Sequence, residues 1–222
     1  MINIHVKEVG GTWFGLAYTG EEIVATAIGL SKDKAVGNLV RSFQFDVEHQ
    51  VVEEGSEFAE KTLLMLEELE SGNEEHKSFS LAAKYVSEPV ARVLKAAAAI
   101  PIGYVSSYGN IAKTADTEPK EVGRIMAMNP LYPIVPCHRV VGADFSLVGY
   151  GGGKSLPALQ TKLARLSKEA RGFTTEKEVP INGKILTVYP VEYVIKKARK
   201  KRGLDSSRQQ KLFDSVKPNI GA

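Results

Sequence analysis

The sequence predicts an α+β protein, in which a small N-terminal antiparallel sheet with helices is followed by a mainly α-helical part containing a helix-turn-helix. Three observations predict it. Short apolar runs at 2–6, 13–18 and 23–28 are separated by Gly10-Gly11 and by Thr19-Gly20-Glu21-Glu22, and such turn signals make residues 1–30 a three-stranded meander. Residues 31–45 and 56–71 then adopt a helical period, with Ala35, Leu39, Val40 and Phe43 along one stripe and Phe58, Thr62, Leu66 and Leu69 along the next. After Ser87-Glu88-Pro89 the texture becomes one of short helices punctuated by proline and glycine.

Each element has its own local reason. Ser31 and Ser56 stand where N-caps are needed, because a serine hydroxyl accepts from the free amides of a first helical turn. The polar stretch 71–78 reads as a loop and 79–85 leads out of this first unit, which places a boundary near residue 87. A helix over 89–99 starts on a proline, whose missing amide costs nothing in a first turn. Helices over about 107–115 and 119–128, joined by roughly three residues, have helix-turn-helix spacing. That spacing alone is weak, since helix pairs with short turns occur in any helical core. Finally, 179–189 alternates around Asn182-Gly183, a hairpin signal, and 191–202 reads as a helix ending in a basic run. The expected organisation is an α+β unit at 1–86, a helical unit at 87–173 and a C-terminal extension at 174–222.

Composition narrows the function classes. With 222 residues and 43% hydrophobic content, the chain can bury a real core. No stretch approaches the roughly 20 apolar residues of a membrane span, and the start MINIHVKEVGG lacks a secretory apolar core, so the expected compartment is cytoplasmic, or nucleoid-associated in a prokaryote. One cysteine makes no internal disulfide, and four scattered histidines make no closed metal site. If Cys137 matters, it matters as a free thiol.

Charge is unevenly spread. The net of +3 hides −9 over residues 1–88, +6 over 89–175, −1 over 176–195 and +7 over 196–222. The middle and the tail are suited to facing an anion, and the first block is not. A solvated surface produces the same asymmetry, so it supports nucleic-acid binding without establishing it.

Cys137-His138 is the chemical signal. Thiolate chemistry needs a lowered cysteine pKa or a neighbouring base. Neighbours on an extended strand point to opposite faces, so His138 can serve Cys137 only where the chain turns or a water bridges them. Pro136 makes such a local turn plausible. A buried, inert cysteine is the alternative reading of these two residues.

The combination is more specific. Val-Ser-Ser-Tyr-Gly at 105–109, Asn129-Pro130, Pro-Cys-His-Arg-Val-Val at 136–141 and Gly-Tyr-Gly-Gly-Gly at 149–153 together resemble the O6-alkylguanine-DNA alkyltransferases, firmly over about 87–166. The resemblance implies irreversible, stoichiometric transfer of an alkyl group from O6 of guanine, and by extension O4 of thymine, to Cys137, without cofactor or metal. It puts the general base on His138 acting through a water. Asn129 would tie together the segments around the cysteine, and Tyr108 would rotate the target phosphate and donate a proton toward guanine N3. Arg139 is implied to be a buried or DNA-facing charge. Pro136, Val148, Tyr150, Gly151 and Gly152 are implied as the pocket, and Lys120, Gly123, Arg124 and Arg139 as DNA contacts in the minor groove of double-stranded DNA containing O6-alkylguanine. Base flipping explains why a helix-turn-helix and a cysteine share one unit, because an alkylated O6 lies inside the base stack.

Three positions depart from the family pattern. Lys120 stands where an intercalating arginine is usual, keeping the charge and losing the planar face. The carboxylate that orients the histidine falls on Ser167 or Glu169, beyond what looks like an insertion at Ser155-Leu156-Pro157, and Glu169 is nominated, with a solvated helix face as the other reading. Gly151 replaces a serine, removing a hydrogen bond to O6. Beyond Phe173 nothing is family-like, and the basic tail is expected to add phosphate contacts or bind another protein, with Gln209-Gln210-Lys211-Leu212-Phe213 a faint clamp-binding peptide. The alternative function is a DNA-binding sensor that recognises alkylguanine without repairing it, against which Cys137 argues. A cysteine hydrolase would need an oxyanion hole that nothing in the sequence specifies.

Overall fold

The computed structural model describes residues 1–43, 47–72 and 86–202, so the stretch expected to lead out of the first unit, most of the 71–78 loop and the 209–213 peptide lie outside the described residues. Strands β1 (Ile2–Val9), β2 (Thr12–Thr19) and β3 (Glu22–Gly29) form the expected antiparallel meander. A fourth strand, β4 (His49–Val51), pairs parallel to β1 and completes the order β3-β2-β1-β4. Its three residues are all exposed and carry no apolar alternation, which is why the sequence does not announce it.

Helices α1 (Lys32–Ser42) and α2 (Glu57–Ser71) cover the two faces of this sheet. Ser31 accepts from the Lys34 amide and Ser56 from the Ala59 amide, so both predicted caps are in use. Alternate residues of β2 serve opposite faces. Phe14, Leu16 and Tyr18 meet Leu63, Leu66 and Leu69 of α2, whereas Ala17 lies in the layer under Leu39 of α1. A Cβ added to Gly15 would sit 2.9 Å from Leu39 Cδ1, so glycine sets how closely α1 approaches. The predicted stripe of α1 needs one correction: Val40 is exposed, and Val36 packs inward instead.

The second part follows with α3 (Glu88–Ala98), β5 (Tyr104–Ser107), α4 (Tyr108–Ala115) and α5 (Pro119–Ala127). Helices α4 and α5 are separated by three residues, as their spacing predicts, and pack on α3. The chain then passes a 3-10 turn (Cys137–Arg139), β6 (Val140–Val141) and α6 (Leu156–Lys168). The apparent insertion at 155–157 forms the N-cap and first turn of α6, where Ser155 accepts from the Ala158 amide. The Asn182-Gly183 hairpin is present as β7 (Lys177–Ile181) and β8 (Lys184–Pro190), both turn residues having positive φ. This hairpin is no loose appendage, because β8 pairs with β5 to build a second sheet of order β6-β5-β8-β7, and α7 (Val191–Arg202) follows. The largest core cluster runs from Phe14 and Leu66 through Val93, Ile111 and Val122 to Leu186 and Val188, so all parts share one interior. No described helix is long and apolar enough to cross a membrane.

Candidate active site

The cysteine sits on a turn. The Arg139 amide donates to Pro136 O at 2.8 Å and the Val140 amide to Cys137 O, which curls 137–139 into one 3-10 turn, and the Cys137 amide donates to Val135 O at 2.9 Å just before it. Cys137 and His138 are therefore not on opposite faces of a strand, the arrangement that would have separated them. Asn129 fixes the approach to the turn: its Nδ2 donates to Val135 O at 2.7 Å, and its Oδ1 accepts from the Leu131 amide at 3.0 Å. The N-terminal sheet holds the same loop from outside, with the Thr26 amide donating to Pro130 O and the Thr26 hydroxyl to Tyr132 O, each at 2.8 Å.

Behind the turn lies a buried charge cluster. Glu169, the C-cap of α6, is 3% exposed and accepts from His138 Nε2 at 2.8 Å and from Arg139 Nε and Nη2, each at 2.9 Å. Arg139 also donates to Ile100 O at 2.7 Å. Burial alone would raise the Glu169 carboxyl, but the hydrogen bonds and charges of His138 and Arg139 overcome it and hold the group down at about 2. An ionised carboxylate only accepts, so the proton of His138 must sit on Nε2. Burial pushes the His138 pKa down despite that carboxylate, keeping the imidazole neutral and leaving Nδ1 as a base with no partner among the described residues.

Lys162 was not foreseen. It lies one turn or more inside α6, fully buried, and its ammonium donates to Val140 O at 2.5 Å and Gly149 O at 2.9 Å. Burial lowers its pKa to about 8, opposed by the charge of Cys137. Burial likewise pushes the Cys137 thiol up, and Lys162, the Asn129 side chain and the amides of residues 137 and 138 pull it back. In the sequence Lys162 looks like any helical lysine; only its i, i+4 spacing to the apolar Leu166 and its place beside Leu163 hint at the inner face.

Cys137 opens into a cavity of about 440 Å³ whose walls come from α4, α5 and the glycine loop. Tyr108, Lys120, Gly123, Val148, Tyr150, Gly151 and Gly152 all line it, which brings most of the predicted residues together. Gly151 and Gly152 have φ of +55° and +76°, conformations that favour glycine. Burial, reinforced by the charge of Cys137, raises the hydroxyl pKa values of both Tyr108 and Tyr150, so both remain protonated. Ser107 caps α4 by accepting from the Asn110 amide at 3.0 Å, which places Tyr108 at the helix start.

Two expectations are corrected. Pro136 is buried beneath the turn and does not line the cavity. Arg139 is 4% exposed with its guanidinium bound inside the protein, so of its two expected places, buried or facing DNA, it takes the buried one. Arg124 is exposed on α5 and paired with Glu121 at 2.5 Å. A second unforeseen set reaches the site from α2: Tyr132 donates to Glu70 at 2.5 Å, Arg165 pairs with Glu70, and the Tyr132 ring stands edge-on to His138 at 6.2 Å.

Comparison with known proteins agrees with this geometry. Residues 88–171 match the family model described as 6-O-methylguanine DNA methyltransferase, DNA binding domain. A methylated-DNA--protein-cysteine methyltransferase of Pyrobaculum aerophilum is 57% identical over 54 residues, 24% of this chain and 36% of the relative. That of Mycobacterium leprae is 45% identical over 80 residues, 35% of this chain and 46% of the relative. The chain thus spans less than half the length of these relatives. Among solved structures, the O6-methylguanine-DNA methyltransferase of Pyrococcus kodakaraensis strain KOD1 superposes with a TM-score of 0.54 at 24% identity, over 77% of this chain and 100% of that one. Mycobacterium tuberculosis OGT in complex with DNA gives 0.56 at 23% identity, over 77% and 96%. These two likenesses establish a shared fold.

Proposed function

We propose that this protein, whose residues 88–171 match the DNA binding domain of the 6-O-methylguanine DNA methyltransferases, repairs DNA by moving an alkyl group from O6 of guanine onto Cys137. The observation that carries the reading is the joining of a cavity-lining thiol to a neutral histidine whose Nε2 proton is committed to a buried carboxylate. Nδ1 of His138 takes the thiol proton through a water. The thiolate attacks the alkyl carbon, the carbon–sulfur bond forms as the carbon–oxygen bond breaks, and the electron pair leaves on O6. Tyr108 gives its proton to guanine N3 and regains one from solvent. Because the product is a thioether, each molecule acts once.

Duplex DNA is the substrate, approached from the minor groove with the target nucleotide turned into the cavity. Gly123 supports this approach. A Cβ there would meet only Tyr108, at an ordinary 3.9 Å, so the fold itself does not require glycine on α5. A close external surface does. Lys120, exposed at the mouth of the cavity, fills the space left by the flipped base, and Arg124 reaches a phosphate. The protein then works in the compartment that holds the DNA.

Intact-mass measurement after incubation with a duplex containing O6-methylguanine tests the proposal. One methyl group gained per molecule, mapped to the Cys137 peptide and absent in Cys137→Ser, is the expected result. No mass gain with retained DNA binding would make the protein a sensor, and a regenerated thiol with turnover would make it a hydrolase.

A further inference from the structure

The family-matched segment ends at residue 171, yet the elements that follow it contact the segments that lead into two walls of the cavity. On one side, the carbonyls of β8 serve the Tyr108 helix. Ser106 Oγ and Asn110 Nδ2 both donate to Thr187 O, at 2.7 and 3.2 Å, and Thr114 Oγ1, which donates to Asn110 O at 3.0 Å, also lies 3.3 Å from Ile185 O. On the other side, Tyr189 and Tyr193 each stand edge-on to Phe145 with ring centroids 5.2 Å apart, and Lys197 lies 3.1 Å from Asp144.

Phe145 belongs to the turn that leads into the glycine loop. The turn is closed by hydrogen bonds from the Phe145 amide to Gly142 O and from the Gly142 amide to Ser146 O, both 2.9 Å. Phe145 has φ of +63°, a left-handed conformation that an aromatic residue keeps only where its surroundings impose it. Gly142 lies close against the chain that follows it, since a Cβ there would sit 2.6 Å from Ser146 Oγ and 3.2 Å from Val148 Cγ2. Val148 lines the cavity, and its neighbour Leu147 packs in the cluster formed by Val105, Val141, Leu166, Val191 and Val194. Gly149, Gly151, Gly152 and Gly153 beyond it have little stiffness of their own.

We propose that Tyr189, Tyr193 and Lys197 are positioning residues that hold the Gly142–Val148 turn and thereby set the size of O6-alkyl group the cavity accepts. The inference rests on the alkyltransferase reading above. A slack wall should lose more of the alignment needed by a methyl group than of that needed by a benzyl group, which fills the space. Single-turnover transfer from free O6-methylguanine and free O6-benzylguanine tests it, because the free bases use the cavity without the DNA surface. Tyr193→Leu is expected to raise the benzyl-to-methyl rate ratio by roughly tenfold, the lower end of what pocket shape discriminates. Lys197→Ala should move the ratio the same way by less, and Tyr193→Phe, which keeps the ring, should restore the wild-type ratio. A merely structural role would lower both rates by one factor, and an unchanged ratio in Tyr193→Leu and Lys197→Ala would overturn the proposal. Should Tyr193→Leu fail to fold, the part-exposed Lys197→Ala decides alone. Absence of transfer from either base and from duplex DNA by the unaltered chain would instead overturn the alkyltransferase reading itself.

Discussion

The layer between α1 and the first sheet and the layer behind Cys137 are equally buried and opposite in chemistry. The first is built from Ile2, Ile4, Ala17, Val24, Ala25, Ala27 and Leu39, side chains with nothing to titrate. The second holds His138, Arg139, Lys162 and Glu169, each at most 5% exposed. Apolar burial is stabilising wherever it occurs. Buried charge is tolerated only when every partner is present, since desolvation of an unpaired ion costs several kcal/mol. The contrast teaches that one layer holds the fold and the other holds protons in place, and it can be broken from either side.

Glu169→Gln should break it most severely. It strands the Arg139 guanidinium and releases the His138 proton position, so stability should fall by about 3–5 kcal/mol. Transfer should slow by roughly 10²–10⁴, the usual weight of a general base. Thermal unfolding and single-turnover kinetics check the two effects, and retention of the wild-type rate would remove Glu169 from the mechanism.

Leu39→Ala is the counterpart in the apolar layer, expected to cost about 2–5 kcal/mol. The folded fraction should transfer alkyl groups at the wild-type rate. The pH response should also separate the layers. Glu169 has a folded pKa near 2, below its ordinary 4.5, and His138 is depressed below 6.5. In both cases the unfolded chain binds the proton more readily, so the stability they contribute is present above the unfolded values and is lost as pH falls. Loss should begin near pH 6.5 through His138 and continue from pH 4.5 toward 2 through Glu169. Leu39→Ala should shift that whole curve down without changing its shape, and a change of shape would argue that the layers are coupled.

Lys162→Met sharpens the comparison by making the charged layer less charged. Without the ammonium, the Cys137 thiol should titrate higher and transfer near neutral pH should fall roughly tenfold, the effect of about one unit of pKa. Unlike Glu169→Gln, this change removes a buried ion rather than stranding one, so its stability cost should be limited to the two freed carbonyls, about 1–3 kcal/mol each. A pH–rate profile of the variant that overlays wild type would show that Lys162 only braces Val140 and Gly149.

The smallest effect belongs to Lys120, which is in neither layer. Lys120→Ala should slow transfer from saturating duplex DNA and leave the free base O6-methylguanine unaffected, while Lys120→Arg should match or exceed the wild-type duplex rate by restoring a planar stacking donor. A wild-type rate for Lys120→Ala at saturating duplex would reduce the residue to a phosphate contact.

Much of the molecule was set by local sequence. The meander follows from short apolar runs bounded by Gly10-Gly11 and by Thr19-Gly20-Glu21-Glu22, the helix starts from Ser31 and Ser56, and the late hairpin from Asn182-Gly183, because turns and caps depend on residues within a few positions of one another. The Cys137-His138 pair and the glycine loop were legible for the same reason. What tertiary structure decided is whatever joins distant segments. The parallel pairing of β4 with β1, the docking of β8 on β5, the inward turn of Arg139, and the meeting of Glu169 with a histidine 31 residues away have no local signature. A carboxylate, a lysine and a tyrosine read the same in a sequence whether solvated or buried. Only the packing around Glu169 and Lys162 determines which charges are stripped of water, and that desolvation is what turns ordinary side chains into a site.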